Sequence, residues 1–313
     1  MTERGTSGST SNPPAGANVT AGAMTVDVED YFQVAALSQQ IRREDWDSHP
    51  CRVERNVDRI LGLFSESGVS ATFFTLGWIA ERYPRVVRQI VDGGHELASH
   101  GYEHIKVHSQ EPDAFRHDIR WTKAILEDIG GQRVKGYRAA SFSIDSRTLW
   151  AFDVLAEEGY DYSSSIYPIR HDHYGMPDAS RFRFRPSDRH ALVEVPISTL
   201  RLRGRNLPSG GGGYFRLLPY GVSRWALRRI AREDRQPTVF YFHPWEIDPG
   251  QPRVGGLSLR SRFRHYVNLG RMEGRLRALL RDFQWDRMDR VFSLDDSGEE
   301  CPPSQPTASR LTA

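Results

Sequence analysis

Apolar residues along this chain change their spacing regularly, from strand-like runs to helix-like periodicity and back. Short β-branched and aromatic runs alternate with stretches in which apolar residues recur every three or four positions. This alternation is typical of a parallel sheet covered by helices, so we predict an α/β fold. The predicted strands are 24–28, 69–76, 95–98, 134–140, 160–166, 192–195, 238–242 and a closing strand at 291–292.

The predicted helices carry recognisable start and stop signals. A helix beginning near Val53 ends at Gly68, and Pro84 opens the next one. Gly210 to Gly213 is predicted as a loop because four consecutive glycines favour neither helix nor strand. Further predicted helices are 115–129, one that Asp145 would N-cap, 222–231 and a last long one over 263–280.

Composition places limits on the class of protein. The 313 residues are 38% hydrophobic and 26% charged, as in an ordinary globular protein. Residues 1–22 and 296–313 are rich in small and polar residues and are predicted to be disordered. One domain over 23–295 remains, in which 167–218 is less regular.

Charge and cysteine content exclude several classes of function. A net charge of +2 gives no indication of a nucleic-acid partner. The two cysteines, Cys51 and Cys301, do not make a disulfide framework. No run has the length of a membrane span, and the N-terminus lacks an apolar signal segment, so we expect a cytoplasmic protein.

Chemically active side chains stand at or just after predicted strand ends. Asp27, His100, Arg138 and His243 each occupy such a position. In β/α barrels, active sites lie at the carboxyl ends of the strands, so these four would meet on one face. His100 and His104 are four residues apart and could bind one divalent cation from a helix turn or a tight loop.

A catalytic metal usually needs a third protein ligand, and two carboxylates compete for this role. Side chains two apart on a strand share a face, so Glu29 would project beside Asp27. Asp30 would reach the metal instead if the chain turned sharply after Val28. We place Glu29 ahead and keep both as candidates.

The order of these motifs resembles the polysaccharide deacetylases of carbohydrate esterase family four. Their acidic motif resembles Thr25-Val26-Asp27-Val28-Glu29-Asp30, and their histidine motif resembles His100-Gly101-Tyr102-Glu103-His104. Their arginine motif and their final strand ending in histidine resemble Arg138-Ala139-Ala140-Ser141 and Phe240-Tyr241-Phe242-His243. The resemblance implies a distorted (β/α)7-type barrel with the active site at the carboxyl ends of the strands.

The resemblance also implies roles for individual residues. Asp27 would be the general base, His100 and His104 ligands of a divalent metal, with zinc first, and Arg138 would orient Asp27. His243 would be the general acid. Ser141, in the arginine motif, and Tyr214, beside the glycine loop, are candidates for binding an acetylated polysaccharide or oligosaccharide.

Two phrases narrow the resemblance further. Residues 27–32, Asp-Val-Glu-Asp-Tyr-Phe, and 243–249, His-Pro-Trp-Glu-Ile-Asp-Pro, resemble the subgroup found with bacterial exopolysaccharide synthesis and exosortase systems. The resemblance implies that the domain carries a subgroup-specific C-terminal part, here about 167–290. This chain departs from the wider family in three places. Val28 separates the base from the next carboxylate, Ala140 replaces a proline, and Gly101 replaces a serine or threonine.

The sequence therefore predicts a metal-dependent hydrolase that removes N-acetyl, or else O-acetyl, groups from a polysaccharide or its precursor. An allantoinase-like amide hydrolase acting on a small ureide is one alternative. A catalytically silent carbohydrate-binding relative is the other, although such relatives typically lack one of the chemical groups present here.

Overall fold

A curled sheet of parallel strands organises this computed structural model, which describes residues 21–171 and 174–294. In those residues the strands are β1 Gly22–Val28, β2 Thr72–Thr75, β3 Glu96–Ser99, β4 Gly136–Tyr137, β5 Tyr162–Ser163, β6 Val193–Glu194, β7 Thr199–Leu202, β8 Arg205–Pro208, β9 Val239–Phe242 and β10 Trp285–Asp286. All except β7 and β8, which form an antiparallel hairpin, belong to the parallel sheet. The α/β fold is confirmed, with the sheet curled into a half-barrel.

Helices cover the outside of this sheet. In the same residues they are α1 Val53–Ser67, α2 Gly77–Arg82, α3 Pro84–Asp92, α4 Pro112–Gly130, α5 Trp150–Glu157, α6 Gly212–Leu217, α7 Tyr220–Arg229, α8 Leu259–Tyr266, α9 Leu269–Asp282 and α10 Met288–Val291. In the described part of the chain, no helix is both long and apolar enough to cross a membrane.

The apolar periodicity of α1 explains how a helix attaches to the sheet. Its buried residues Val53, Val57, Ile60 and Phe64 form one stripe, which packs in the core with the strands. Gly68 ends the helix with φ 63°, a left-handed conformation that costs little without a Cβ, and its N–H reaches back to the last turn. Apolar periodicity and helix-ending glycines of this kind predict the positions of most helices and strands.

Strand register brings the predicted site residues to one edge. The sheet runs β9-β1-β2-β3-β4-β5-β6, and β10 pairs with the beginning of β1. Val28 pairs with Thr75, Thr75 with Ser99 and Ser99 with Tyr137. Since these residues end their strands, the residues that follow them emerge together at the carboxyl edge.

A segment of 3₁₀ turns separates β1 from α1 at that edge. Its three turns are Tyr31–Gln33, Ala35–Leu37 and Arg43–Ser48. Asp30 caps the first turn by accepting the N–H of Tyr31, while the Gln33 side-chain oxygen accepts the N–H of Asp30. This reciprocal capping fixes the direction in which the chain leaves β1.

Several predicted elements are wrong in detail. The chain at 291–292 is not a closing strand, because α10 ends there and β10 pairs with β1 instead. The last long helix is two helices, since Asn268 takes a left-handed φ of 53° between α8 and α9. Asp145 lies in a loop before α5, and the predicted glycine loop runs into α6 at Gly212.

The predicted outer boundaries lie mostly outside the described residues. Of the proposed disordered segment 1–22, only 21–22 are described, and β1 already begins at Gly22. The tail 296–313 is not described. The extent of the domain, 23–295, stays a prediction.

Candidate metal and acid–base site

A buried ion pair joins the end of β1 to the end of β4. Arg138 Nη1 lies 2.5 Å from Asp27 Oδ1, and both side chains are almost fully buried. The same nitrogen donates to Thr25 Oγ1 at 2.8 Å, and Arg138 Nη2 donates to Ser164 Oγ at 3.0 Å. These contacts hold the guanidinium in one orientation and leave Asp27 Oδ2 directed to other groups.

The charge state of Asp27 follows from these neighbours. Burial alone would raise the pKa of this carboxyl, but the Arg138 guanidinium, assisted by His100 and His243, brings the pKa below its ordinary value. Asp27 is therefore ionised at neutral pH and able to accept a proton.

Glu29, His100 and His104 form a cluster with the spacing of a metal site. A ligand atom from each lies within 4.8 Å of those of the other two. Glu29 Oε2 is 3.1 Å from His104 Nε2, and this buried oxygen has no hydrogen-bond partner among the described residues. A buried carboxylate oxygen without a donor is expected where a cation binds.

The backbone presents both imidazoles to this point without a helix. Residues 101–106 form a tight loop in which Gly101 and His104 adopt left-handed φ values of 74° and 57°. His100 Nδ1 contacts the Arg138 carbonyl oxygen at 2.8 Å, so this nitrogen donates and Nε2 keeps its lone pair. Of the two predicted alternatives, the structure has the tight loop.

The donor set fits a divalent transition-metal ion. Burial lowers the pKa values of His100 and His104 to about 4, so both imidazoles are neutral and can act as ligands. Two imidazoles and one carboxylate with a further open position are typical of catalytic zinc. Glu29, His100 and His104 would hold the ion.

The Asp30 carboxylate accepts hydrogen bonds from other parts of the chain, which bears on whether Glu29 or Asp30 is the third metal ligand. Its oxygens accept backbone N–H groups of Tyr31, Arg52 and Val53 and the Cys51 thiol. Residue Asp30 therefore ties the 3₁₀ segment to the start of α1 and lies outside the metal cluster. Because the Asp30 oxygens serve as a cap, the arrangement favours Glu29 as the third ligand, and the choice between the two carboxylates stays a prediction.

His243 follows β9 and faces the same cluster from the other side. Its Nε2 lies 3.4 Å from Glu29 Oε1 and 3.9 Å from Asp27 Oδ2. Trp245 stacks on the imidazole at 5.3 Å between ring centres. Burial would lower the pKa of His243, but Glu29, Glu246 and Asp27 raise it to about 9, so the ring carries a proton at neutral pH.

Two residues that support His243, Glu246 and Arg216, were not predicted from the sequence. Glu246 Oε2 accepts the His243 N–H at 3.0 Å and lies 3.3 Å from His243 Nδ1. Arg216 Nε donates to Glu246 Oε1 at 2.7 Å, and both side chains are nearly fully buried. Burial would raise the pKa of Glu246, but Arg216 and His243 lower it to about 2. The glutamate three residues after His243 was a possible signal, because a capping box has this spacing.

The two predicted substrate-binding residues lie near the site but have no decisive contact. Ser141, three residues after Arg138, is half-buried in a short turn with φ 54°. Tyr214 is half-buried in α6, two residues after Gly212. Gly212 approaches Glu246 so closely that a Cβ there would lie 2.0 Å from Oε2. Both roles stay predictions.

Comparisons with known families divide the chain in two. Residues 45–162 match the family model described as polysaccharide deacetylase. This stretch is similar to polysaccharide deacetylases. Residues 164–293 match a second model, described as a domain of unknown function (DUF3473). The deacetylase match contains His100, His104 and Arg138, the second match contains His243, and Asp27 precedes both.

Known deacetylases are similar to this chain over short stretches. A peptidoglycan-N-acetylglucosamine deacetylase of Bacillus cereus is 33% identical over 94 residues, which is 30% of this chain and 34% of the relative. A chitooligosaccharide deacetylase of Bradyrhizobium is 27% identical over 97 residues, 31% of this chain and 42% of the relative. The chain thus spans between a third and a half of the length of these relatives.

One solved structure is similar over nearly the whole length. A Mycobacterium smegmatis protein provisionally described as a polysaccharide deacetylase superposes with a TM-score of 0.57 and 21% identity. The superposition covers 98% of this chain and 99% of that one. This likeness shows that both matched parts of the chain form one shared fold.

Proposed function

We propose that the protein is a metal-dependent hydrolase that removes N-acetyl groups from a polysaccharide or its biosynthetic precursor. The observation that carries this proposal is the position of the Glu29–His100–His104 cluster between an ionised carboxylate, Asp27, and a protonated imidazole, His243. The match to the polysaccharide deacetylase family model and the deacetylase relatives support the same class of enzyme.

The chemistry follows from the atoms that face the cluster. A bound divalent ion would polarise the acetyl carbonyl and the attacking water. Asp27 Oδ2 takes a proton from that water, while Arg138 keeps the carboxylate ionised and oriented. His243 Nε2 gives its proton to the departing amine nitrogen. Asp27 Oδ2 and His243 Nε2 are 3.9 Å apart, so the base and the acid can act on one bound amide.

The metal and the biological setting belong to the proposal. Zinc fits the neutral imidazoles and the single carboxylate best. The sequence stretches 27–32 and 243–249 support a role in exopolysaccharide biosynthesis, where the substrate would be a growing glycan or its precursor.

Acetate release from a panel of glycans, after metal analysis of the purified protein, tests this function. The panel contains N-acetylated chitooligosaccharides, peptidoglycan fragments and O-acetylated xylan, with allantoin as a small-ureide control. We expect acetate from an N-acetylated glycan, loss of activity after chelation and recovery with zinc. Hydrolysis of allantoin alone, or glycan binding without acetate release at any metal loading, would contradict the proposal.

A further inference from the structure

A cavity of 200 Å³ adjoins the candidate metal site on the side of His104. Residues of the 3₁₀ segment form one wall, and the loop after β3 forms the other. His104 lines this cavity and also belongs to the metal cluster. A group bound in the cavity would therefore lie beside a group bound at the metal. The volume is below the roughly 300–1,000 Å³ of pockets for drug-sized ligands, so it suits one sugar residue or part of one.

Two residues lining the cavity each have a buried hydrogen-bond donor without an acceptor in the described part of the chain. Gln33 Nε2 and Arg43 Nε are buried and unpartnered. The oxygen and nitrogen of the Gln33 amide cannot exchange places, because the oxygen accepts the Asp30 N–H at 2.8 Å. Buried donors such as those of Gln33 and Arg43 are costly unless a ligand accepts from them. Lys106 is half-buried and adds a cation to the same lining.

Charge at the cavity favours an anion. The lining residues Arg43 and Lys106 are cations, and Glu103 is the carboxylate opposite them. Glu103 Oε1 already binds Arg43 Nη2 at 2.6 Å, which leaves one cation in excess. Arg43 is also held over the Trp46 ring at 4.6 Å, so its guanidinium is ordered before a ligand arrives.

The rest of the wall is apolar. Phe32, Val34, Ile41 and Trp46 are buried side chains that line the cavity beside the donors. Apolar walls with a few directed polar groups are typical of small-molecule sites. The C–H face of a pyranose ring matches such a wall, and an acidic substituent on the ring matches the donors.

We propose that this cavity is a subsite for a carboxylate-bearing sugar residue next to the acetylated residue of the glycan. The proposal deepens the proposed deacetylase function and rests on it for the position of the acetylated neighbour. Gln33, Arg43 and Lys106 bind the carboxylate, and the 3₁₀ segment between β1 and α1 determines which glycans are accepted.

Deacetylation of two matched substrates tests the subsite in the full-length protein. The acidic substrate is a hyaluronan tetrasaccharide, which alternates N-acetylglucosamine with glucuronate, and the neutral one is N-acetylated chitotetraose. Lys106→Gln removes one cation from the lining. Gln33→Glu keeps an oxygen that can accept the Asp30 N–H, removes the donor and places a carboxylate beside the site of the bound anion. Arg42→Gln is the matched control, because Arg42 is exposed, pairs with Glu44 and does not line the cavity.

We expect wild-type protein to prefer the acidic substrate. Lys106→Gln and Gln33→Glu should each raise KM for that substrate about tenfold, the loss expected for one charge-assisted hydrogen bond. Their effect on chitotetraose should be smaller, so that the preference for the acidic substrate falls, and all kinetics of Arg42→Gln should stay unchanged. Equal effects on both substrates, or no preference for the acidic one, would overturn the subsite while leaving deacetylation intact.

A binding measurement separates failure of the subsite from failure of the proposed function. Titration calorimetry with an oligoglucuronate that carries no acetyl group should show binding to wild-type protein and to Arg42→Gln. It should show about tenfold weaker binding to Lys106→Gln. If neither tetrasaccharide releases acetate, the deacetylase function fails, whereas this titration still supports or overturns the carboxylate site.

Discussion

Asp27 and Glu246 are both buried carboxylates paired with a buried arginine, but they leave different atoms free. Asp27 gives one oxygen to Arg138 and keeps the other toward the metal cluster and His243. Glu246 gives one oxygen to Arg216 and the other to His243, so both are occupied by protein groups. The first carboxylate can exchange a proton with a substrate, whereas the second can only position and charge its imidazole.

The two pairs also come from different parts of the chain. Arg138 lies in the deacetylase match, while Arg216 and Glu246 lie in the DUF3473 match. Arg216 further donates to the carbonyl oxygens of His265 and Val267, so the pair is anchored to the segment after α8. We infer that the second half of the chain is part of the candidate active site, because it supplies and positions the proposed acid.

Removing the metal site should have the largest effect and tests whether the two carboxylates flank a metal at all. His100→Ala and His104→Ala should each lose the bound ion and all activity, because two ligands cannot hold a catalytic zinc. His243→Ala should keep the ion and lose turnover. Metal analysis of the three purified variants checks this, and an empty site in His243→Ala would move that residue into the coordination sphere.

Asp27→Asn should reduce turnover by about two to four orders of magnitude, the usual contribution of a general base. The amide fills the same space but cannot take the proton. Metal content should stay near that of wild type, because Asp27 is outside the Glu29–His100–His104 cluster. Acetate release and metal content measured together check the prediction, and near-normal turnover would remove Asp27 from the base role.

Glu246→Gln should have a smaller effect, about one to two orders of magnitude, as is typical for an outer partner of a functional imidazole. We expect kcat to fall while KM stays unchanged, since Glu246 does not face the substrate. Thermal unfolding is the control, because the change also leaves Arg216 buried without a counter-charge. A loss as large as that of Asp27→Asn in a well-folded variant would abolish the distinction between the two carboxylates.

Asp30→Ala should affect stability and leave the metal in place. The carboxylate accepts three backbone N–H groups, and removing it should cost about 1–3 kcal/mol of unfolding free energy. Glu29→Ala should show the reverse pattern, with lost metal. Urea denaturation and metal analysis of both variants check this pair, and loss of metal in Asp30→Ala alone would restore Asp30 as the ligand.

Strand ends explain why so much of the site was predictable. Four site residues stand at or next to the ends of apolar runs: Asp27, His100, Arg138 and His243. Parallel strands bring such positions to one edge of the sheet, independently of how the helices pack. Alternation along β1 also predicts that Glu29 projects beside Asp27. These predictions depend only on local periodicity and the direction of the strands.

Other features depend on contacts that periodicity does not encode. Arg216 and Glu246 meet because α6 packs against the turn after β9, and nothing in the spacing of the two residues indicates this. The hairpin of β7 and β8 was missed because its turn residues Arg203 and Gly204 both have positive φ, at 49° and 78°, with arginine where asparagine is usual. The cavity likewise exists only because irregular 3₁₀ turns fold back over the loop after β3.

The pairing of β1 has a consequence for how the protein reaches its folded state. This strand pairs with β2, about 45 residues later, but also with β9 and β10, more than 200 residues later. Closing such long loops is entropically costly, and contacts of this range slow folding. During synthesis, one edge of β1 stays unpaired until almost the entire described chain has left the ribosome. We therefore expect that the deacetylase match 45–162, which lacks β1, does not fold alone, and that a chain truncated before β9 aggregates through the exposed edge of β1.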